Sequence, residues 1–126
     1  MTFKTFALAA MAITFGLAGC QKPATMPTAP FTAKGITMKL EPADAPDCKP
    51  STTFTATLSW TIASTDSPKT DVRIGSLDGA LFARSNDEKA HAETGNWVKP
   101  GTWFLLMDRR SGELLGAVQA GPKPCP

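Results

Sequence analysis

From Thr53 to Ile62 the chain alternates without a fault. Phe54, Ala56, Leu58, Trp60 and Ile62 are apolar, and Thr53, Thr55, Thr57, Ser59 and Thr61 between them are small and polar. Successive side chains of a strand point to opposite faces, so this pattern makes one dry face and one wet face. A helix would wrap both classes around its circumference, and threonine is a good strand former. Ten residues patterned in this way commit the chain to a sheet with one face on a core.

The rest of the chain supplies partners. Ile36, Met38 and Leu40 alternate with Thr37, Lys39 and Glu41 and predict a strand that Pro42 ends. Val72 and Ile74 face inward on another, with Asp71 and Arg73 outward. Asp78-Gly79 is a turn signal, and Ala80 to Ala83 follows as a strand. Ser85 to Gly95 is polar, with Asn86 to Glu93 tolerating a helical turn or a loop. Thr102 to Met107 and Glu113 to Ala120 predict a hairpin around Arg109 to Gly112. If Asp108 stands opposite Glu113, Phe104 and Leu106 share a face with Leu115 and Ala117. Trp103, Leu105 and Met107 then share the other with Leu114, Gly116 and Val118. The 11 prolines and 10 glycines fit many turns and no long helix. Six or seven short strands at this spacing predict an all-β sandwich over residues 35–126.

Thr57-Leu58-Ser59-Trp60-Thr61 resembles the second strand of a fibronectin type III or related immunoglobulin-like domain, and Pro100-Gly101-Thr102 with Phe104 resembles the start of its sixth. The resemblance implies that Phe104 faces the core and that Trp103, Leu105 and Met107 face outward. The chain has no tyrosine, so Phe104 stands where such domains carry a ring with a hydroxyl.

The first 20 residues resemble the signal and lipobox of bacterial lipoproteins. Lys4 gives a short positive start, Thr5 to Leu17 is an apolar run of 13 residues, and Leu17-Ala18-Gly19-Cys20 has the form of the box. The run falls short of the ~20 apolar residues of a membrane span and fits a signal helix. The resemblance implies that residues 1–19 are removed and that Cys20 carries covalent lipid, diacylglyceryl and palmitate-type acyl chains, which anchor the chain in a bilayer. In that family an Asp after the cysteine tends to hold a protein at the inner membrane. Gln21 stands there, so the resemblance implies the outer membrane, facing the periplasm. Residues 20–34, with Pro23, Pro27 and Pro30, read as a spacer able to reach roughly 40 Å at the ~3.1 Å per residue of extended proline-rich chain.

With Cys20 lipidated, Cys48 and Cys125 remain. An even remainder in an oxidising compartment predicts one disulfide, against two free thiols or a bridge to a partner. Removing Lys4 leaves about +1, from 12 Lys and Arg against 11 Asp and Glu. That is no footprint for nucleic acid, and Arg109-Arg110 reads as a solvated turn.

Nothing here assembles a catalytic set. His91 is the only histidine, in a polar stretch with Asp87, Glu88 and Glu93, and a metal or a histidine base needs convergent partners. No serine sits in a nucleophile elbow and no glycine-rich loop opens a helix, so no enzyme, metal or cofactor is expected beyond the lipid on Cys20. Trp60 reads as core. Trp97 and Trp103 flank Pro100-Gly101, and Trp97, Trp103, Leu105 and Met107 are the candidate binding residues, since tryptophan is enriched at interfaces. The expected function is a non-catalytic envelope lipoprotein whose sandwich binds or supports another envelope component, with a protein as the expected partner. Two alternatives remain open: an inhibitor or immunity protein acting through Ser85 to Gly95, and a carbohydrate or peptidoglycan binder acting through Trp97.

Overall fold

The computed structural model describes residues 24–63 and 68–126, so the expected signal over residues 1–19 and the lipid site at Cys20 lie outside the described residues. The described chain is all-β: β1 (Phe31–Thr32), β2 (Ile36–Glu41), β3 (Thr57–Ile62), β4 (Thr70–Ile74), β5 (Leu81–Ser85), β6 (Lys89–Glu93), β7 (Trp103–Asp108) and β8 (Leu114–Gln119). They form two antiparallel sheets, β1-β8-β7-β4-β5 and β2-β3-β6, packed as a sandwich. Counted from β2, the first, second and fifth strands make one sheet and the third, fourth, sixth and seventh the other. That is the strand division of an immunoglobulin-like sandwich with its fourth strand on the larger sheet. Thr57 to Thr61 lie in the second of these strands and Phe104 in the sixth.

The alternating stretch does what its pattern requires. Phe54, Ala56, Leu58, Trp60 and Ile62 are all buried, and they meet Val72, Phe104 and Leu106 from the larger sheet. Phe104 has no exposed surface, and burying a side chain of that size stabilises by about 2–3 kcal/mol. The Trp60 indole crosses the core, its Nε1–H donating to Thr70 Oγ1 at 3.2 Å. The strand proper starts at Thr57 rather than Thr53, because the backbone N–H of Ala56 bonds to the Thr94 hydroxyl at 2.8 Å instead of continuing the ladder. Phe54 then makes an isolated bridge to Val98.

Two expectations change. The spacer gives up its end to the sheet, because Phe31–Thr32 pairs with Ala117 and Gly116 ahead of residue 35. Gly35, at φ 81°, then turns the chain across to the smaller sheet. The stretch expected as a loop or helical turn contains β6, whose Ala90 and Ala92 pack on the core while Lys89, His91 and Glu93 stay exposed. Pairing with β3 overrides the helical preference of Lys, Ala and Glu, so Lys89–Glu93 of the stretch offered for an inhibitor is an edge strand. Among the described residues the domain from residue 35 on holds the expected seven strands, β2 to β8, and β1 is added ahead of them.

The C-terminal tail returns to the loop after β2. Ala45 N donates to Gly121 O at 3.0 Å, and Gly121 N to Ala43 O at 2.8 Å. Beyond this clasp Cys48 and Cys125 form a disulfide.

Candidate functional site

The outer face of the five-stranded sheet can be read from its register. Phe31, Ala117, Leu105, Arg73 and Leu81 form one row across all five strands. A second row runs Leu114, Met107, Asp71, Arg84. Trp103 stands opposite Gln119 at the far end of β7. Apolar side chains hold the β7 and β8 side of this face and arginines the β4 and β5 side.

Trp103 and Met107 lie on this face as expected, each half-buried. Leu105 lies between them but has no exposed surface, so it offers nothing to a partner and supports the face from beneath. Its row neighbours explain why: Ala117 is equally buried, and the Arg73 side chain stands on the other flank. The ends of the row stay open, Phe31 at 40% and Leu81 at 43% exposure.

The predicted hairpin register holds at its start, Asp108 N donating to Glu113 O at 2.8 Å. A bulge between Leu106 and Met107 then shifts the pairing, leaving Leu115 extra. Ala117 therefore faces outward with Leu105, while Gly116 and Val118 face inward opposite Leu106 and Phe104, reversing the expected faces. Gly116 suits its inward place, since a Cβ there would meet Met38 Sδ at 2.7 Å.

Asp71 is the electrostatic centre of the face. It is only 6% exposed. Arg84 grips it with two bonds, Nε to Oδ1 at 2.9 Å and Nη2 to Oδ2 at 3.1 Å. Arg109 adds Nε to Oδ1 at 2.9 Å, and Arg73 Nη2 stands 3.9 Å from Oδ2. Burial pushes the Asp71 carboxyl up, but the hydrogen bonds and charges of Arg84 and Arg109 outweigh it and hold it below the usual carboxylate range. Arg109 also donates to Asn86 Oδ1 and to the carbonyls of Thr70 and Ser85. It is a clamp between the hairpin and two strands, not the solvated turn residue expected. Alternation placed Asp71 and Arg73 on one face, but nothing local in the sequence marks Arg84 or Arg109 as partners of Asp71.

The other candidates fall elsewhere. Trp97 is 39% exposed and packs on the inward side of the sheet, its ring centroid 5.8 Å from Phe82 and 6.1 Å from Phe104. It closes the flank of the sandwich and does not join Trp103. His91 is exposed on β6 opposite Ser59. Among the described residues no group of three His, Cys, Asp or Glu converges as metal ligands would. Cys48 and Cys125 are bonded to each other, so neither is a thiol for His91 to activate.

No family model, curated protein or solved structure matches the chain.

Proposed function

We propose that this chain is a non-catalytic envelope lipoprotein, held at the outer membrane by lipid on Cys20, whose sandwich docks another envelope protein through the outer face of its larger sheet. The observation that carries the reading is the surface of that face. Trp103 and Met107 are part-exposed over a fully buried floor of Leu105 and Ala117, with Phe31 and Leu81 open at the ends. Interfaces favour large aromatic and Met side chains on a surface that needs little ordering. The outer face of the smaller sheet differs, with Thr37, Lys39, Ser59 and His91 exposed or nearly so. Supporting the anchor are the length of the apolar run and the box that ends at Cys20.

Two measurements test the proposal. The mass of the mature N-terminus carries acyl chains on Cys20; an unmodified Cys20 defeats the anchor. Partner co-purification from solubilised envelopes is lost with Trp103→Ser and Met107→Ser and kept with Lys39→Ser and His91→Ser. The reverse pattern moves the docking face to the smaller sheet.

A further inference from the structure

The arginines beside the apolar strip say what kind of partner fits it. Arg73, Arg84 and Arg109 face the single carboxylate of Asp71, three positive charges against one negative, an excess of +2. Asp108 is the only other acid within the strands of this sheet, and its carboxylate is taken up by the backbone N–H of Arg110 and Ser111. The excess is reachable, with the Arg84 side chain about half exposed and that of Arg73 about a third. In register Arg73 lies between Leu105 and Leu81, and Arg84 lies beyond Asp71 from Met107. A cationic corner therefore adjoins the apolar strip.

We propose that the occupant of this face is a segment of a partner protein carrying an Asp or Glu beside large apolar side chains. The carboxylate sits between Arg73 and Arg84, whose planar forks suit it, and the apolar groups lie toward Met107 and Trp103. This rests on the docking reading and names its partner chemistry. A protein segment satisfies both halves of the face at once, with an acid for the arginines and apolar side chains for the strip beside them. A second copy docking by the same face brings two cationic corners into one interface, where they repel.

The test places the photo-crosslinking residue p-benzoylphenylalanine at position 81 or at position 103 of the full lipidated chain, in cells that make it. The position 81 adduct is expected to map to a peptide with an acid beside apolar residues. Its yield is expected to fall at least tenfold in Arg73→Gln with Arg84→Gln, and also in 0.5 M salt. Arg73→Gln alone, which removes the long contact to Asp71 and the Nη1–H bond to the Gly79 carbonyl in the β4–β5 turn, is expected to lower the yield severalfold while Tm falls by only a few degrees. An adduct with lipid, with this chain itself or with an acid-free segment overturns the inference, as does a yield indifferent to both arginines. In those cases a position 103 adduct to a protein leaves the docking reading standing. No adduct from either position removes both.

Discussion

Arg109 Nε and Asp71 Oδ1 lie 2.9 Å apart across 38 residues of sequence. This contact joins the β7–β8 hairpin to the start of β4, and Arg84 completes the grip from β5. It has a defined pH dependence. The fold holds the Asp71 carboxyl below its usual range, so on acidification the unfolded chain takes up this proton first. The stabilisation is therefore complete above the unfolded value of about 4 and is lost as pH falls through the lower folded value. Asp71→Asn is expected to cost about 2 kcal/mol at pH 7, the range for hydrogen bonds to charged groups. Urea titrations of parent and variant should differ most at pH 7, and the gap should narrow as pH falls below about 4. A gap that stays constant through this acid range contradicts the assignment.

The adjacent arginines should behave differently. Arg109 is half-buried with bonds to Asp71, Asn86, Thr70 and Ser85, whereas Arg110 is exposed at the hairpin tip. Arg109→Ala is expected to lower stability by about 2 kcal/mol, and Arg110→Ala by no more than about 0.5 kcal/mol. Thermal melts separate the two, since about 1 kcal/mol moves Tm by some 4–8 °C in a domain of this size. Equal shifts would return Arg109 to the solvent.

Trp60 and Thr70 couple the two sheets. Thr70→Val keeps the shape but leaves the indole N–H without its acceptor in a dry core. The expected loss is about 1–3 kcal/mol. In the Trp60→Phe background, where no N–H remains, the same change should cost distinctly less. A double-mutant cycle with no coupling contradicts the bond.

The disulfide closes a long loop, Cys48 and Cys125 being 77 residues apart. On the chain-entropy account its removal costs up to about 4 kcal/mol. Cys48→Ser with Cys125→Ser should lower Tm more than Arg109→Ala does and far more than Arg110→Ala. The Ala45–Gly121 clasp should still form, so protease should trim the tail only beyond Gly121. Cutting within β8 contradicts this.

The sequence made the core face legible because Thr53 to Ile62 keeps period two over ten residues, and every apolar position in it is buried. Turn residues placed the β4–β5 and β7–β8 connections for the same reason, since local chemistry decides them. β6 was hidden because its inward residues are only alanines, and its strand state comes from pairing with β3. The bulge at Leu106 and Met107 has no local marker, yet it decides which face Ala117, Gly116 and Val118 occupy. The candidate face was legible in Trp103 and Met107, while the burial of Leu105 depends on Ala117 and Arg73 from neighbouring strands. The arginine cluster was illegible because its members come from three separate parts of the chain.

The central claim is that Trp103 serves a partner and not the core. Trp103→Ala tests it most directly, with affinity for the purified partner and melting temperature measured on the same protein. Trp103 lies outside the core, so truncation should cost the fold about 1 kcal/mol or less, a shift of a few degrees. Removing a central aromatic contact should weaken binding by 2 kcal/mol or more, about thirtyfold. A fall in melting temperature of 15 °C or more with affinity unchanged would show that Trp103 holds the sandwich together and that docking lies elsewhere.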